Sequence, residues 1–127
     1  MAKKIISTTD APKAVGPYSQ GVKVNGLLFV SGQLGIDPAT QKMRAGGVEE
    51  QAKQALDNLT AIVKAAGLGL DDVVKTTVLL ADMNDFAKVN AIYAERFTVN
   101  PPARAAFAVQ KLPLGALIEI EAVAAEK

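Results

Sequence analysis

An α+β fold, with a mixed β-sheet and two helices packed on one of its faces, is predicted by three features of this 127-residue sequence. Asn25-Gly26 lies between two apolar runs, the pattern of a β-hairpin whose two turn residues both need positive φ. Apolar residues recur at spacings of three and four from Val48 to Ala66, and again from Phe86 to Phe97, which is helical periodicity. β-branched and apolar runs follow each helix and read as strands. The resulting order, β-β-β-α-β-α-β-β, puts both helices in one layer against a sheet.

Taken along the chain, Lys3–Thr8 reads as a first strand, followed by an Ala/Pro/Gly loop to Gly16-Pro17-Tyr18. The hairpin joins Gly21-Val22-Lys23-Val24 to Leu27-Leu28-Phe29-Val30. A two-residue turn pairs Gln20 with Ser31 and Ser19 with Gly32, and brings Tyr18 near Gln33. Alternation then sets Tyr18, Gln20 and Val22 on one face with Gln33, Ser31 and Phe29, so a Tyr and a Ser meet at the hairpin's open end. Asp37-Pro38-Ala39-Thr40 reads as a turn, and Gly46-Gly47 as the break before the first helix, which stops at Gly67. Val73–Ala81 is β-branched and apolar at Val73, Val74, Thr76, Thr77, Val78, Leu79 and Leu80, and is expected to be buried on both faces. The second helix is capped by Asp82 or Asn84, carries Phe86, Val89, Tyr93 and Phe97 on its stripe, and ends before Asn100-Pro101-Pro102. Strands at Arg104–Val109 and Leu117–Ala124, joined around Pro113-Leu114-Gly115, complete one domain over residues 1–127. With both helices on one side, the other sheet face has no cover, and the pattern predicts burial against further copies of the chain.

Composition removes whole chemistries. There is no Cys and no His, so there is no thiolate nucleophile, no disulfide, no serine–histidine triad and no common zinc shell. Catalysis must use carboxylates, Tyr, Arg, Lys, hydroxyls, backbone groups or water. A formal charge of +1 without a basic run disfavours a nucleic-acid platform. The apolar runs are shorter than the roughly 20 residues a membrane span needs. The start Met1-Ala2-Lys3-Lys4-Ile5-Ile6 lacks a signal peptide's apolar region, so a cytoplasmic protein is expected.

Arg104 is the most informative charged residue. It follows Pro101-Pro102-Ala103 and opens a strand in which Arg104, Ala106 and Ala108 share a face opposite Phe107 and Val109. A guanidinium beside two methyl groups leaves room for a small planar anion, and its fork suits a carboxylate bidentately. An ion pair with Glu119 or Glu121 is the competing reading. Those two carboxylates share one face of the last strand, opposite Ile118, Ile120, Ala122 and Ala124, and fit an acid/base pair, a metal shell or the polar side of a half-buried strand. Asn90 lies on the face of Phe86, Tyr93 and Phe97, as a structural bridge or as part of a polar pocket. Asp71-Asp72, Asp82 and Asp85 read as turn and cap residues, and Gly32 and Gly35 match no phosphate-binding loop.

The segments Gly16-Pro17-Tyr18-Ser19-Gln20, Phe29-Val30-Ser31-Gly32-Gln33, Pro102-Ala103-Arg104 and Glu119-Ile120-Glu121-Ala122 occur in an order and spacing that resembles the RidA (YjgF/YER057c/UK114) family over essentially the whole chain. The resemblance implies a chorismate-mutase-like homotrimer with a central barrel, outer helices and clefts between subunits. It implies a 2-iminobutanoate/2-iminopropanoate deaminase, which hydrolyses 2-imino acids and their enamine tautomers, such as 2-aminoacrylate, to 2-oxo acids and ammonia without a cofactor or metal. By position, Arg104 matches the carboxylate-binding arginine. Tyr18, Ser31, Gly32 and Asn90 match pocket residues, and Glu119 matches the glutamate beside the reacting water, with Tyr18 a hydrogen-bonding helper. Ala106 stands where relatives often carry Cys, so its backbone remains available but any thiol role is lost. The competing functions are a small-carboxylate (2-oxo acid) binding protein without turnover, a ribonuclease or translation inhibitor, and a holdase-type chaperone.

Overall fold

The computed structural model describes residues 2–127. Its strands are β1 (Lys4–Ile6), β2 (Gly21–Val24), β3 (Leu27–Gln33), β4 (Ile36–Asp37), β5 (Lys42–Met43), β6 (Val73–Leu80), β7 (Ala103–Ala108) and β8 (Ile118–Ala125). The α-helices are α1 (Gly47–Ala65) and α2 (Phe86–Arg96). Six strands form one sheet in the order β1-β2-β3-β8-β6-β7, antiparallel except for the β6–β7 pair, which α2 connects as a parallel crossover. β4 and β5 form a separate two-stranded ribbon around the expected Asp37–Thr40 turn, an element that the apolar pattern was too short to reveal.

The hairpin forms for the expected reason. Asn25 and Gly26 take φ of 55° and 78°, and the pairs Gly21–Val30, Val22–Phe29, Lys23–Leu28 and Val24–Leu27 follow from that turn. Beyond them the expected alternation fails. Between Val30 and Gln33 the β3–β8 register shifts by one residue, a bulge at Ser31-Gly32. Gln33 therefore joins Leu28 and Val30 in the buried layer and not the face of Phe29 and Ser31. Gln20 is buried as well, because its amide plugs the preceding loop, accepting from Thr8 N and donating to the carbonyls of Thr8, Ala11 and Pro12.

α1 buries Ala52, Ala55, Leu56, Leu59, Ile62 and Val63 against the sheet. Each large apolar side chain buried there contributes about 1.5–3 kcal/mol relative to exposure. The opposing layer is Leu28, Val30, Val78, Leu80, Ile118, Ile120, Ala122 and Ala124, and both helices lie on this one face. β6 departs from expectation. Its inward residues Thr76, Val78 and Leu80 are buried, whereas Val74 and Lys75 are exposed and Thr77 and Leu79 only half-buried, because nothing among the described residues covers the second face. Ile5, Val22, Phe29 and Val123 lie in register across that open face. Ile5 and Phe29 are 51% and 44% exposed there, which leaves a large apolar surface in water.

Two polar side chains of α1 tie it to the segments that follow β3 and precede β8. Asn58, fully buried, donates to the carbonyls of Leu34 and Ile36, and Gln51 accepts from Leu117 N. A Cβ at Gly35 would lie 2.6 Å from Gln51 Cα, so only glycine permits this approach. Gly35→Ala is expected to push α1 outward and to destabilise the protein by about 1–3 kcal/mol, read as a lower urea midpoint. A midpoint equal to wild type would show that the approach carries no constraint.

Candidate functional site

Two clusters of the expected residues form, on opposite sides of the sheet. The first gathers at the open end of the hairpin. Ser31 N donates to the carbonyl of Gln20, and the Ser31 hydroxyl donates to the carbonyl of Ser19 at 2.5 Å, so the 18–20 segment is fastened to the bulge of β3. Tyr18, half exposed, accepts from Val15 N at 3.3 Å, and its hydroxyl proton is directed at no acceptor among the described residues. No hydrogen bond joins Tyr18 to Ser31 among the described residues. Glu119, on the neighbouring β8, folds over the bulge so closely that a Cβ on Gly32 would lie 2.0 Å from its Oε2. Gly32 thus leaves the space that the Glu119 carboxylate fills, and a side chain there would have to displace it.

The second cluster lies at the outer edge of the sheet. Arg104 on β7 pairs with Thr76 of β6, and Thr76 faces the helices. Arg104 Nη1 donates to Asn90 Oδ1 at 2.8 Å. The guanidinium carbon stands 4.8 Å from the centre of the Tyr93 ring and 5.4 Å from that of Phe86. Ala106, two residues on, shares this face and packs against the core. Among the described residues no carboxylate pairs with Arg104, so the expected alternative of an ion pair with Glu119 or Glu121 does not occur. Asn90 holds the guanidinium and not the adjoining backbone. Phe86 and Tyr93 were legible only as core; their spacing of four and three around Asn90 was the signal that they also flank a cation.

The clusters cannot meet within one chain. Ile118, Ile120 and Ala122 of β8 are buried under the helices, so Glu119 and Glu121 point to the open face, while Arg104 points to the helix side. Two strand spacings and three residues along the strand also separate them, roughly 14 Å of backbone by ordinary sheet dimensions. A groove of about 630 Å³ lies beside Tyr18, Ser19 and Gln20, and it includes neither Arg104 nor Glu119.

The electrostatics differ between the clusters. Partial burial, and secondly the nearby charge of Glu121, hold the Glu119 carboxyl above its ordinary range. Burial pushes the Tyr93 phenol up, against the hydrogen bond from Thr76 and the charge of Arg104, so it stays neutral and its ring presents a π-face to the cation. No group of three or more His, Cys, Asp or Glu suited to a metal ion occurs among the described residues. No helix of the described residues is long and apolar enough to cross a membrane.

Residues 8–126 match the family model described as endoribonuclease L-PSP. The chain is 56% identical over 124 residues to the mouse protein named 2-iminobutanoate/2-iminopropanoate deaminase, covering 98% of this chain and 92% of the mouse one. It is similar in structure to the YjgF gene product of E. coli, with a TM-score of 0.94, 48% identity and 98% and 99% of the two chains covered. It is equally similar to E. coli TdcF with bound serine, at a TM-score of 0.94, 42% identity and the same coverage.

The raised pKa of Glu119 has a consequence for stability. Its ionised form is disfavoured in the folded chain relative to the unfolded one, so the cost is absent below the ordinary carboxylate range and grows as pH rises through the raised value. Glu119→Gln is therefore expected to raise the thermal midpoint at pH 7, with the gain fading near pH ~4. A lower midpoint than wild type at pH 7 would mean that the charge is compensated by a stabilising partner.

Proposed function

The chain belongs to the endoribonuclease L-PSP family, which is the RidA (YjgF) family, and on that premise we propose that it hydrolyses 2-imino acids to 2-oxo acids and ammonia. The observation that carries this reading is an arginine fork fixed by Asn90 and two aromatic rings, exposed at a sheet edge and without a carboxylate of its own among the described residues. The deaminase names of the mouse and human relatives, each 56% identical, support it. So does the serine bound by TdcF, a ligand whose carboxylate suits such a fork.

In this reading the working unit is a homotrimer with clefts between subunits, in a single-domain protein of the cytoplasm. Its support is the apolar open face, and the placing of Arg104 and Glu119 on opposite sides of one sheet. A cleft takes Arg104, Asn90 and Ala106 from one protomer, and Tyr18, Ser31, Gly32 and Glu119 from its neighbour.

The chemistry follows from those groups. Arg104 grips the substrate carboxylate bidentately and so fixes the face of the adjacent C=N carbon that water meets. The Glu119 carboxylate takes a proton from that water as its oxygen bonds to carbon, and delivers the proton to nitrogen. The carbinolamine then collapses: the same carboxylate passes its hydroxyl proton to nitrogen, the C–N bond breaks as the C=O bond forms, and ammonia leaves. Val15 N occupies a lone pair of the Tyr18 hydroxyl, which leaves its proton for the incoming oxygen or the departing nitrogen. The backbone beside Ser31, Gly32 and Ala106 completes the pocket. Imines in water hydrolyse unaided, so positioning and one proton relay suffice. With no His and a net charge of +1, the ribonuclease reading lacks a comparable set of groups, although the family description bears that name.

Arg104→Ala is expected to remain a folded oligomer and to lose at least ~100-fold in kcat/KM, measured as ammonia released from an imine generated in situ by an amino-acid oxidase. Wild-type activity in that variant would remove Arg104 from the mechanism. Wild-type protein that binds a 2-oxo acid yet leaves the rate unchanged would favour a carboxylate-binding protein. Because Glu119 must be ionised to accept the proton, activity should fall on the acid side with a midpoint above the ordinary glutamate range. Glu121→Gln removes a like charge and is expected to move that limb to lower pH. A limb that stays in place, or moves up, would exclude Glu119 as the base.

A further inference from the structure

The geometry points to Tyr93 and Phe86 as positioning residues for Arg104, two rings that hold its guanidinium in the orientation a substrate carboxylate requires. The inference rests on the reading of Arg104 as the carboxylate-binding group and extends it to residues that touch no substrate.

Arg104 is exposed, and a long exposed side chain samples many rotamers. Asn90 supplies a single hydrogen bond, to Nη1, which fixes one atom of the fork but leaves it free to swing about that contact. The rings remove that freedom. Phe86, Asn90 and Tyr93 follow one another at spacings of four and three on one face of α2, so one helix presents both rings and the carboxamide to one cation.

The Tyr93 ring is itself anchored from below. Its hydroxyl is hydrogen-bonded to the Thr76 hydroxyl at 2.7 Å, Thr76 is fully buried, and Thr76 is the β6 residue in register with Arg104. Phe97 packs against Tyr93 with ring centres 4.6 Å apart and planes tilted by 35°. The strand that pairs with the arginine's backbone therefore also fixes the ring that pairs with its charge. An aromatic face attracts a cation without competing as an anion for the N–H donors, so the fork stays available to a carboxylate.

The test compares wild type with Tyr93→Phe, Tyr93→Leu, Phe86→Leu and Arg104→Ala. It measures KM and kcat for imine hydrolysis, and the Kd of pyruvate by calorimetry. Tyr93→Leu and Phe86→Leu are each expected to raise KM and the pyruvate Kd about three- to tenfold, with a smaller fall in kcat, because the interaction lost serves binding in ground and transition states alike. Tyr93→Phe keeps the ring and is expected to restore most of that loss. Tyr93 is buried, and should Tyr93→Leu fail to fold, the half-buried Phe86→Leu carries the test. Leucine variants that bind pyruvate as wild type does would overturn the inference, as would a Tyr93→Phe loss equal to that of Tyr93→Leu. If Arg104→Ala binds pyruvate as wild type, the carboxylate-binding role itself fails, and the positioning role with it.

Discussion

The constraint on which the rest depends is the alternation of side chains across a β-sheet. Because Ile118, Ile120 and Ala122 must be buried beneath α1, Glu119 and Glu121 have no choice but the open face. Because Thr76 is buried beneath α2, its register partner Arg104 faces the helices. The core therefore decides which side each functional group takes, and one chain can offer only half of the proposed cleft on each side. The same packing leaves Ile5, Phe29 and Phe107 exposed on the open face, so burial of that face in the proposed trimer would also bring the halves into contact.

Each half is rigid for its own reason. On the open face Gly32, in the bulge, carries no side chain, so the Glu119 carboxylate lies against the backbone of β3, and the Ser31 hydroxyl pins the loop carrying Tyr18. Partial burial and Glu121 make that carboxylate a stronger base than an exposed glutamate. On the helix face a neutral carboxamide and two rings fix a cation without neutralising it. A carboxylate in place of Asn90 would hold Arg104 more tightly but would occupy the donors a substrate needs.

Much of this was legible in the sequence, where local chemistry alone decides it. Asn25-Gly26 dictated the turn and hence the register of β2 with β3, and the three-and-four spacing from Val48 located α1 between the Gly46-Gly47 break and Gly67. The split of β8 into an apolar face and a carboxylate face was readable for the same reason. What escaped depends on partners distant in sequence. The bulge that turns Gln33 inward arises in the pairing of β3 with β8, which lies far along the chain, and Gln20 is buried because three loop carbonyls take its amide. The expectation that Val73–Ala81 is buried on both faces treated a β-branched and apolar run as its own evidence of cover, whereas the described residues cover one side only. Asn90 was recognised as needing a partner, but the partner became visible only when β7 was set beside α2.

The most direct measurement mixes two inactive variants. Arg104→Ala and Glu119→Gln are unfolded together, refolded as a mixture and assayed for imine hydrolysis. If each cleft takes its arginine from one protomer and its glutamate from the next, an equal mixture restores about a quarter of wild-type clefts by random assembly, and activity rises accordingly. Activity no higher than that of the two variants refolded apart would mean that the groups do not combine across protomers.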